Sequence, residues 1–289
     1  MTPARVVLAT SSHELDRDPE LALVVDELAA VGVEAEAVAW DEVGHDWTAH
    51  ELVVVRSCWD YTERLGEFLA WARAVPVLAN PLAVLEWNTD KTYLRDLDAR
   101  GCPVIETVWD PTDVAELGDH AEWVCKPSVS AGSRDTARWS DPVDALTHAA
   151  ELRAAGRTAM VQPYVASVDD EGETALLFVD DAFSHAIRKA PLLAPGEGVR
   201  QDRSSAGGIT PRTPTDAQLD VARTALDVVA TAVPSAGPLL YARVDLVTGA
   251  DGLPRVIELE LTEPGLFLPW SDGGAGRLSG AIRSRLSDS

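Results

Sequence analysis

Cysteine, basic charge and long apolar runs are all scarce in this chain, and each shortage excludes something. The 289 residues include three cysteines, Cys58, Cys102 and Cys125, isolated and odd in number. They rule out a disulfide framework and a cysteine-based zinc motif, and read as reduced, packed thiols. Lys and Arg total 24 against 47 Asp and Glu, a net charge of −23. With no basic surplus to neutralise phosphates, nucleic acid is excluded as a partner. No apolar stretch reaches the ~18 residues of a membrane span, and no basic segment with an apolar run opens the chain. The expectation is a soluble, cytoplasmic protein without membrane contact. The histidines lack metal-like spacing, and His185 reads as a packed or surface residue. No Gly-x-Gly-x-x-Gly follows the first strand, so a classical dinucleotide site is not expected. Neither a Ser-His-Asp set, an internal repeat nor a low-complexity tail is found.

What is present is apolar content and α/β alternation. Hydrophobic residues make up 46% of the chain, enough for a sizeable core. The length suggests two domains, or one with a lobe. Arg5 to Ala9, Val33 to Val38 and Leu52 to Arg56 read as strands. Helices are expected from the Asp18-Pro19 cap to Gly32 and from Thr62 to Ala74, and a short strand at 77–79. This pattern implies an open α/β domain. Ligands bind such sheets at the carboxyl ends of strands. Arg56-Ser-Cys-Trp-Asp-Tyr61 lies at one, so Arg56, Asp60 and Tyr61 are candidates for substrate binding, against the alternative of a plug at a domain interface.

Further on, a helix is expected from an Asn88 cap through Lys91 to Gly101, then strands at 103–109, 122–127 and 158–163 and a helix at 140–156. Ser128 to Ser133 is a small-residue loop. A hairpin is expected around Asp180-Asp181. Residues 190–212 lack periodicity and are long enough to be functional. Thr215 to Val233 is a helix.

The most informative stretch is Tyr241-Ala-Arg-Val-Asp245-Leu-Val, a turn at 248–252, and Arg255-Val-Ile-Glu258-Leu-Glu260. Both flanks read as strands. Glu258 and Glu260 are two apart and share a face, with Asp245 at the matching place on the first strand. Buried like charges repel and are costly to desolvate. A hard divalent cation relieves both costs. The competing reading, an exposed strand face with solvated acids, is equally open from the hairpin alone.

Taken together, these pieces make a constellation: Lys91 at a helix start, Lys126 before the Ser/Gly loop, Val161-Gln-Pro-Tyr-Val165 ending a strand, Gly172-Glu173, Arg188-Lys189, and the Arg-x-Asp…Glu-x-Glu hairpin. The sequence resembles the ATP-grasp superfamily of carboxylate–amine ligases, of the type of D-alanine–D-alanine ligase and glutathione synthetase. Arg-Ser-Cys-Trp-Asp-Tyr, Trp-Asn-Thr-Asp-Lys and Gly-Glu-Thr look like a bacterial subgroup that includes the cyclo-ligase of cycloserine biosynthesis. The resemblance covers nearly the whole chain; its most specific part is the hairpin spacing.

The resemblance implies an α/β ATP-grasp fold with an open N-terminal domain over residues 1–88. A linking helix and small α+β lid would cover 89–161, and a larger α+β domain 162–289, with ATP held between the last two. It implies that Lys91 and Lys126 contact ATP phosphates. Ser130, Gly132 and Ser133 would bring backbone N–H groups to phosphate oxygens. Gln162, Tyr164 and Val165 would form the adenine hinge, although core packing serves equally for Tyr164. Glu173 would hold the ribose, with Asp169 and Glu171 as competitors. Lys189 would approach the γ-phosphate. Arg243 would stabilise the acyl phosphate, its alternative being a salt bridge to a metal carboxylate. Asp245, Glu258 and Glu260 would bind one or two Mg²⁺ ions, or Mn²⁺. The family often has Asn where Glu260 stands, which leaves metal stoichiometry open.

The expected reaction is activation of a small carboxylate or carbonyl as an acyl phosphate, attacked by a nitrogen nucleophile. Ring closure within one small amino acid and a non-catalytic ATP-binding protein are the alternatives. The complete set of Lys, Arg and carboxylates argues against the latter. Substrate candidates, besides the Arg56–Tyr61 loop, are Trp87, the 196–209 loop with Gly207 and Gly208, and Trp270. They suggest a small zwitterion. A homodimer is left open.

Overall fold

The computed structural model describes residues 4–201 and 208–287. Three sheets organise it. The first is parallel and three-stranded, built from β1 (Arg5–Thr10), helix α1 (Pro19–Ala30), β2 (Glu34–Ala39), β3 (Leu52–Val55) and helix α2 (Leu65–Ala74), in the order β2-β1-β3. Asp18 caps α1 by accepting from the Glu20 amide, with Pro19 in the first turn. Val24 and Leu28 of α1 are fully buried, each worth about 1.5–3 kcal/mol of apolar burial. The expected strand at 77–79 is only a single bridge, Val53 to Leu78.

The expected single helix from Asn88 is two short ones, α3 (Leu82–Asn88) and α4 (Tyr93–Ala99). Asn88 closes the first rather than capping the second. Its buried carboxamide donates to the Leu259 carbonyl and accepts from the Leu261 amide at 2.8 and 2.7 Å. The Lys91 amide bonds the Ser128 carbonyl instead of continuing a helix. Tertiary partners for polar groups have overridden local propensity here.

The second sheet has four antiparallel strands: β4 (Val108–Trp109), β5 (Trp123–Pro127), β6 (Ala137–Trp139) and β7 (Ala159–Pro163). Their order is β4-β7-β5-β6, and helix α5 (Pro142–Ala154) packs on one face. The expected strand at 103–109 shrinks to β4 plus a bridge from Val104 to Val256.

A short helix α6 (Ser167–Glu171) leads into the third sheet. This comprises β8 (Glu173–Val179), β9 (Ala182–Lys189), β10 (Thr210–Pro211), β11 (Tyr241–Thr248) and β12 (Pro254–Glu260), in the antiparallel order β10-β9-β8-β11-β12. Asp180 and Asp181 close the β8–β9 hairpin at φ 51° and 59°; two positive φ values are what a tight two-residue hairpin needs, and Asp tolerates them better than bulkier residues. Helix α7 (Asp216–Ala232), with a Thr215/Gln218 capping box, joins α4 against one face. Helix α8 (Gly274–Ser287) joins α1 on the other, so the parallel and five-stranded sheets share one core cluster.

Candidate active site

The hairpin register sets the site. Arg243 of β11 lies opposite Glu260 of β12, and Asp245 lies opposite Glu258, with a bulge just after Asp245. Period-two alternation puts all four on one face. Donor oxygens of Asp245, Glu258 and Glu260 lie within 4.8 Å of one another. Cations surround them. Arg243 donates to both Asp245 oxygens, Nε to Oδ1 at 2.9 Å and Nη2 to Oδ2 at 3.0 Å, and also pairs with Glu260. Lys189 Nζ lies 2.7 Å from Asp245 Oδ2 and 2.6 Å from Glu173 Oε2. Lys91 Nζ lies 3.2 Å from Glu258 Oε1 and donates to the Ser130 carbonyl at 2.6 Å. Lys126 makes no ion pair with a described residue, although Glu258 and Glu173 exert attraction on it.

These groups perturb one another. Burial pushes the Asp245 carboxyl up, but Arg243 and Lys189 outweigh it and hold it below the usual range. Burial likewise opposes ionisation of Glu258, and Lys91 and Lys126 overcome it. Burial depresses Lys126, and Lys91 and Lys189 add repulsion. Burial raises Glu260 despite Arg243, with the Glu258 and Asp245 charges adding to the rise.

All of these except Asp245 line a cavity of about 830 Å³ between the four- and five-stranded sheets. Asp245 is fully buried beneath its cations. On the side of the four-stranded sheet, Lys126, Ser130, Gly132 and Ser133 line the same space. Gly132 and Ser133 have φ of 61° and 59°, a left-handed turn that Gly132 adopts without strain. The residues expected to form the hinge, Gln162, Tyr164 and Val165, and the carboxylate of Glu173 line it too. Two hinge side chains are already engaged: Gln162 Nε2 donates to Thr107 Oγ1 at 2.9 Å, and the Tyr164 hydroxyl donates to Asp169 at 2.6 Å. The Arg138 guanidinium covers the Tyr164 ring at 3.5 Å.

The substrate candidates separate. Tyr61 and Trp270 line the cavity; Arg56, Asp60 and Trp87 do not. Arg56 is buried, pairs with Glu20 at 2.8 Å and donates to the Pro264 carbonyl, which is the interface plug weighed as its alternative. Asp60 accepts from Trp40 Nε1 at 3.0 Å. Trp87 Nε1 donates to Asp96. Gly208 is exposed, with φ 72°, and away from the cavity lining, whereas Ile209 reaches it; Gly207 lies outside the described residues.

Sequence reasoning passed over Glu263. It lines the cavity, faces the Tyr61 hydroxyl, and burial pushes its carboxyl up to about 7 against the pull of Lys91. The signal was available, since Glu263 closes the same acid-rich run as Glu258 and Glu260. It sits past the strand end, however, where alternation no longer assigns a face.

The residues fit a metal–nucleotide. The three carboxylates offer only hard oxygens, which suits Mg²⁺. Lys91, Lys126, Lys189 and Arg243 oppose them and supply the cations a polyphosphate needs. The volume falls in the range of small-molecule sites.

Comparison with known proteins agrees. The family profile of the D-cycloserine synthetase DcsG N-terminal domain matches residues 6–83. The cycloserine biosynthesis protein DcsG of Streptomyces lavendulae is 37% identical over 304 residues, covering 97% of this chain and 98% of that protein. The crystal structure of D-cycloserine synthetase DcsG superposes with a TM-score of 0.90 at 36% identity, covering 98% of this chain and all of that one. Two more distant structures share the fold. The ATP-grasp ligase PsnB complexed with a minimal precursor has a TM-score of 0.64 at 20% identity, over 99% of this chain and 100% of that one. D-alanine–D-alanine ligase from Bacillus anthracis has a TM-score of 0.66 at 15% identity, over 100% of both chains.

Proposed function

The chain belongs to the ATP-grasp ligase family, alongside the D-cycloserine synthetase DcsG, and from that premise we propose that it closes a ring within one small amino-acid derivative at the expense of ATP. It is an ATP-dependent ligase that forms C–N bonds. The observation that carries the finer reading is 37% identity to DcsG over 97% of the chain; in this reading the ATP and substrate ends of the cavity meet at Arg243.

In this reading Lys91, Lys126 and the Ser130–Ser133 loop hold the phosphates. Gln162, Tyr164 and Val165 contact the adenine through backbone and ring face, because the Gln162 amide and Tyr164 hydroxyl already have partners. Glu173 holds the ribose after releasing Lys189. Glu258 and Glu260 hold Mg²⁺, or Mn²⁺, with Asp245 beneath them orienting Arg243 and Lys189. The metal supplies charge neutralisation and in-line alignment of the transferring phosphoryl group. Arg243 and Lys189 stabilise charge on the activated carbonyl oxygen, and the four-stranded sheet covers the site and keeps water from the acyl phosphate. The substrate lies toward Tyr61, Glu263 and Trp270, where a carboxylate and aromatic faces suit a small zwitterion.

The test is ADP release with Mg²⁺ and candidate amino-acid derivatives, followed by mass spectrometry of the product. A product made from one substrate molecule supports ring closure. A product joining two molecules replaces it with intermolecular amide formation.

A further inference from the structure

Histidine spacing in the sequence points to no metal, yet folding brings two histidines and a carboxylate together on the parallel sheet. Glu36 lies on the edge strand β2, His45 in the loop after it, and His50 just before β3. One donor atom of each lies within 4.8 Å of the others. The two imidazoles stack at 5.1 Å with 13° between their planes. His50 Nε2 stands 3.8 Å from Glu36 Oε1.

Two ring nitrogens in this cluster are orphaned. His45 Nε2 and His50 Nδ1 are buried without a hydrogen-bond partner among the described residues, and His50 as a whole is only 7% exposed. Buried polar atoms in native structures almost always have partners, and a bare one calls for a water, an ion or a function. Two imidazoles beside a carboxylate make a donor set for a borderline divalent cation; on His50 it is Nε2 that faces Glu36, while its bare Nδ1 lies on the other edge of the ring. Trp47 packs edge-on to His45 at 4.6 Å and Trp71 edge-on to Trp47 at 5.1 Å, so an aromatic wall backs the histidines. Arg5 Nη2, 3.7 Å from Glu36, competes for the carboxylate.

We propose that Glu36, His45 and His50 form a second cation site, taking Zn²⁺ or a similar borderline divalent ion, that fastens edge strand β2 to the loop entering β3. None of the three lines the ATP cavity. Ligands at about 2.0–2.2 Å from a tetrahedral Zn²⁺ lie roughly 3.4 Å apart, so the cluster must contract by about an ångström and the His45 ring must turn out of its stack on His50, because an imidazole lone pair lies in the ring plane. Two of its members can move: the Glu36 side chain is about half exposed, and His45 follows Gly44, which has φ 86°. His50 is the fixed member, and water completes the shell. Nitrogen donors separate this site from the all-oxygen hairpin, so it favours Zn²⁺ or Co²⁺ where the hairpin favours Mg²⁺.

The test is titration of metal-stripped, full-length protein with Co²⁺ in excess Mg²⁺, followed by visible absorption, then displacement by Zn²⁺. One equivalent should bind, and Zn²⁺ should raise the melting temperature by about 5 °C, because it binds only the folded chain. Glu36→Gln and His45→Gln alter accessible positions that leave the core intact; each should weaken binding at least about tenfold, while Glu258→Gln should leave it unchanged. Absence of a saturable equivalent overturns the proposal. So does binding that survives His45→Gln, or binding lost in Glu258→Gln.

Discussion

Arg56 and Arg243 invite comparison. Both are buried, both pair with a carboxylate, and they donate to neighbouring carbonyls, Pro264 and Gly265. Around Arg56 the network is nearly closed: Arg56 itself stays away from the cavity, and only Glu20 reaches its wall. Its partner Glu20 also accepts from the Leu266 and Leu268 amides, so one ion pair pins the parallel sheet to the chain leaving β12. Around Arg243 the network is open. Asp245 passes charge to Lys189, and Lys189 to Glu173, while Glu258, Glu260 and Lys126 face the cavity. Burial and ion pairing are therefore no guide to function. What separates the two regions is whether the arginine itself keeps a face toward a space that a ligand can fill, as Arg243 does and Arg56 does not. A closed pair holds domains together; an open one can exchange a protein partner for a phosphate or a metal.

The strongest way to break this comparison is Glu258→Gln. It should lower ADP formation by at least about 100-fold while the melting temperature stays near that of the wild type. Retained turnover would remove the metal role from the open network. Next is the arginine pair itself. Arg56→Met strands Glu20 in the interior and should cost about 3–5 kcal/mol in urea unfolding, with turnover per folded molecule nearly unchanged. Arg243→Met should instead lose turnover by about 100-fold or more, while KM for ATP changes little. If both variants lose stability and activity in the same proportion, the distinction between closed and open networks fails.

A smaller effect concerns Glu263. Its carboxyl is raised from an ordinary 4.5 to about 7. Between those values the folded chain holds a proton that the unfolded chain has lost, so this group lowers stability as pH rises through that window, and the loss is complete above it. Glu263→Gln should therefore stabilise the ligand-free protein by up to roughly 3 kcal/mol at about pH 8 and hardly at all at about pH 4. Urea midpoints at the two pH values check this; an equal shift at both would place the carboxyl in solvent. The smallest effect is that of Tyr164→Phe. It deletes the hydroxyl bond to Asp169, worth at most about 1–2 kcal/mol, but keeps the ring face. KM for ATP should be unchanged, and a large rise would mean the hydroxyl itself meets the nucleotide.

The legible part of the molecule is the part encoded by short-range rules. The first β-α-β run, the Thr215–Val233 helix and the two hairpins follow from periodicity, caps and turn residues. Sharing of a face by Asp245, Glu258 and Glu260 follows from strand alternation plus hairpin register. Long-range partners were not legible. Asn88 reads as a helix cap because Asn caps helices, yet two backbone groups of β12 claim its side chain. Arg56 reads as a ligand residue because it ends a strand, but Glu20, 36 positions away, neutralises it.

By itself, the sequence determined the opening α/β run and the shared face of the hairpin acids, because those rest on spacings within single elements and adjacent strands; the ATP-grasp fold and the ligase chemistry came from its resemblance to a known family. Tertiary structure alone decided which charges face the cavity. It buried Asp245 beneath Arg243 and Lys189, turned Arg56 into a fastener, brought Glu263 to the cavity wall, and joined Glu36 to His45 and His50. The physical reason is common to all four. A charge or an imidazole acquires its role from the groups that desolvate and compensate it, and those come from elements that only the packing of three sheets brings together.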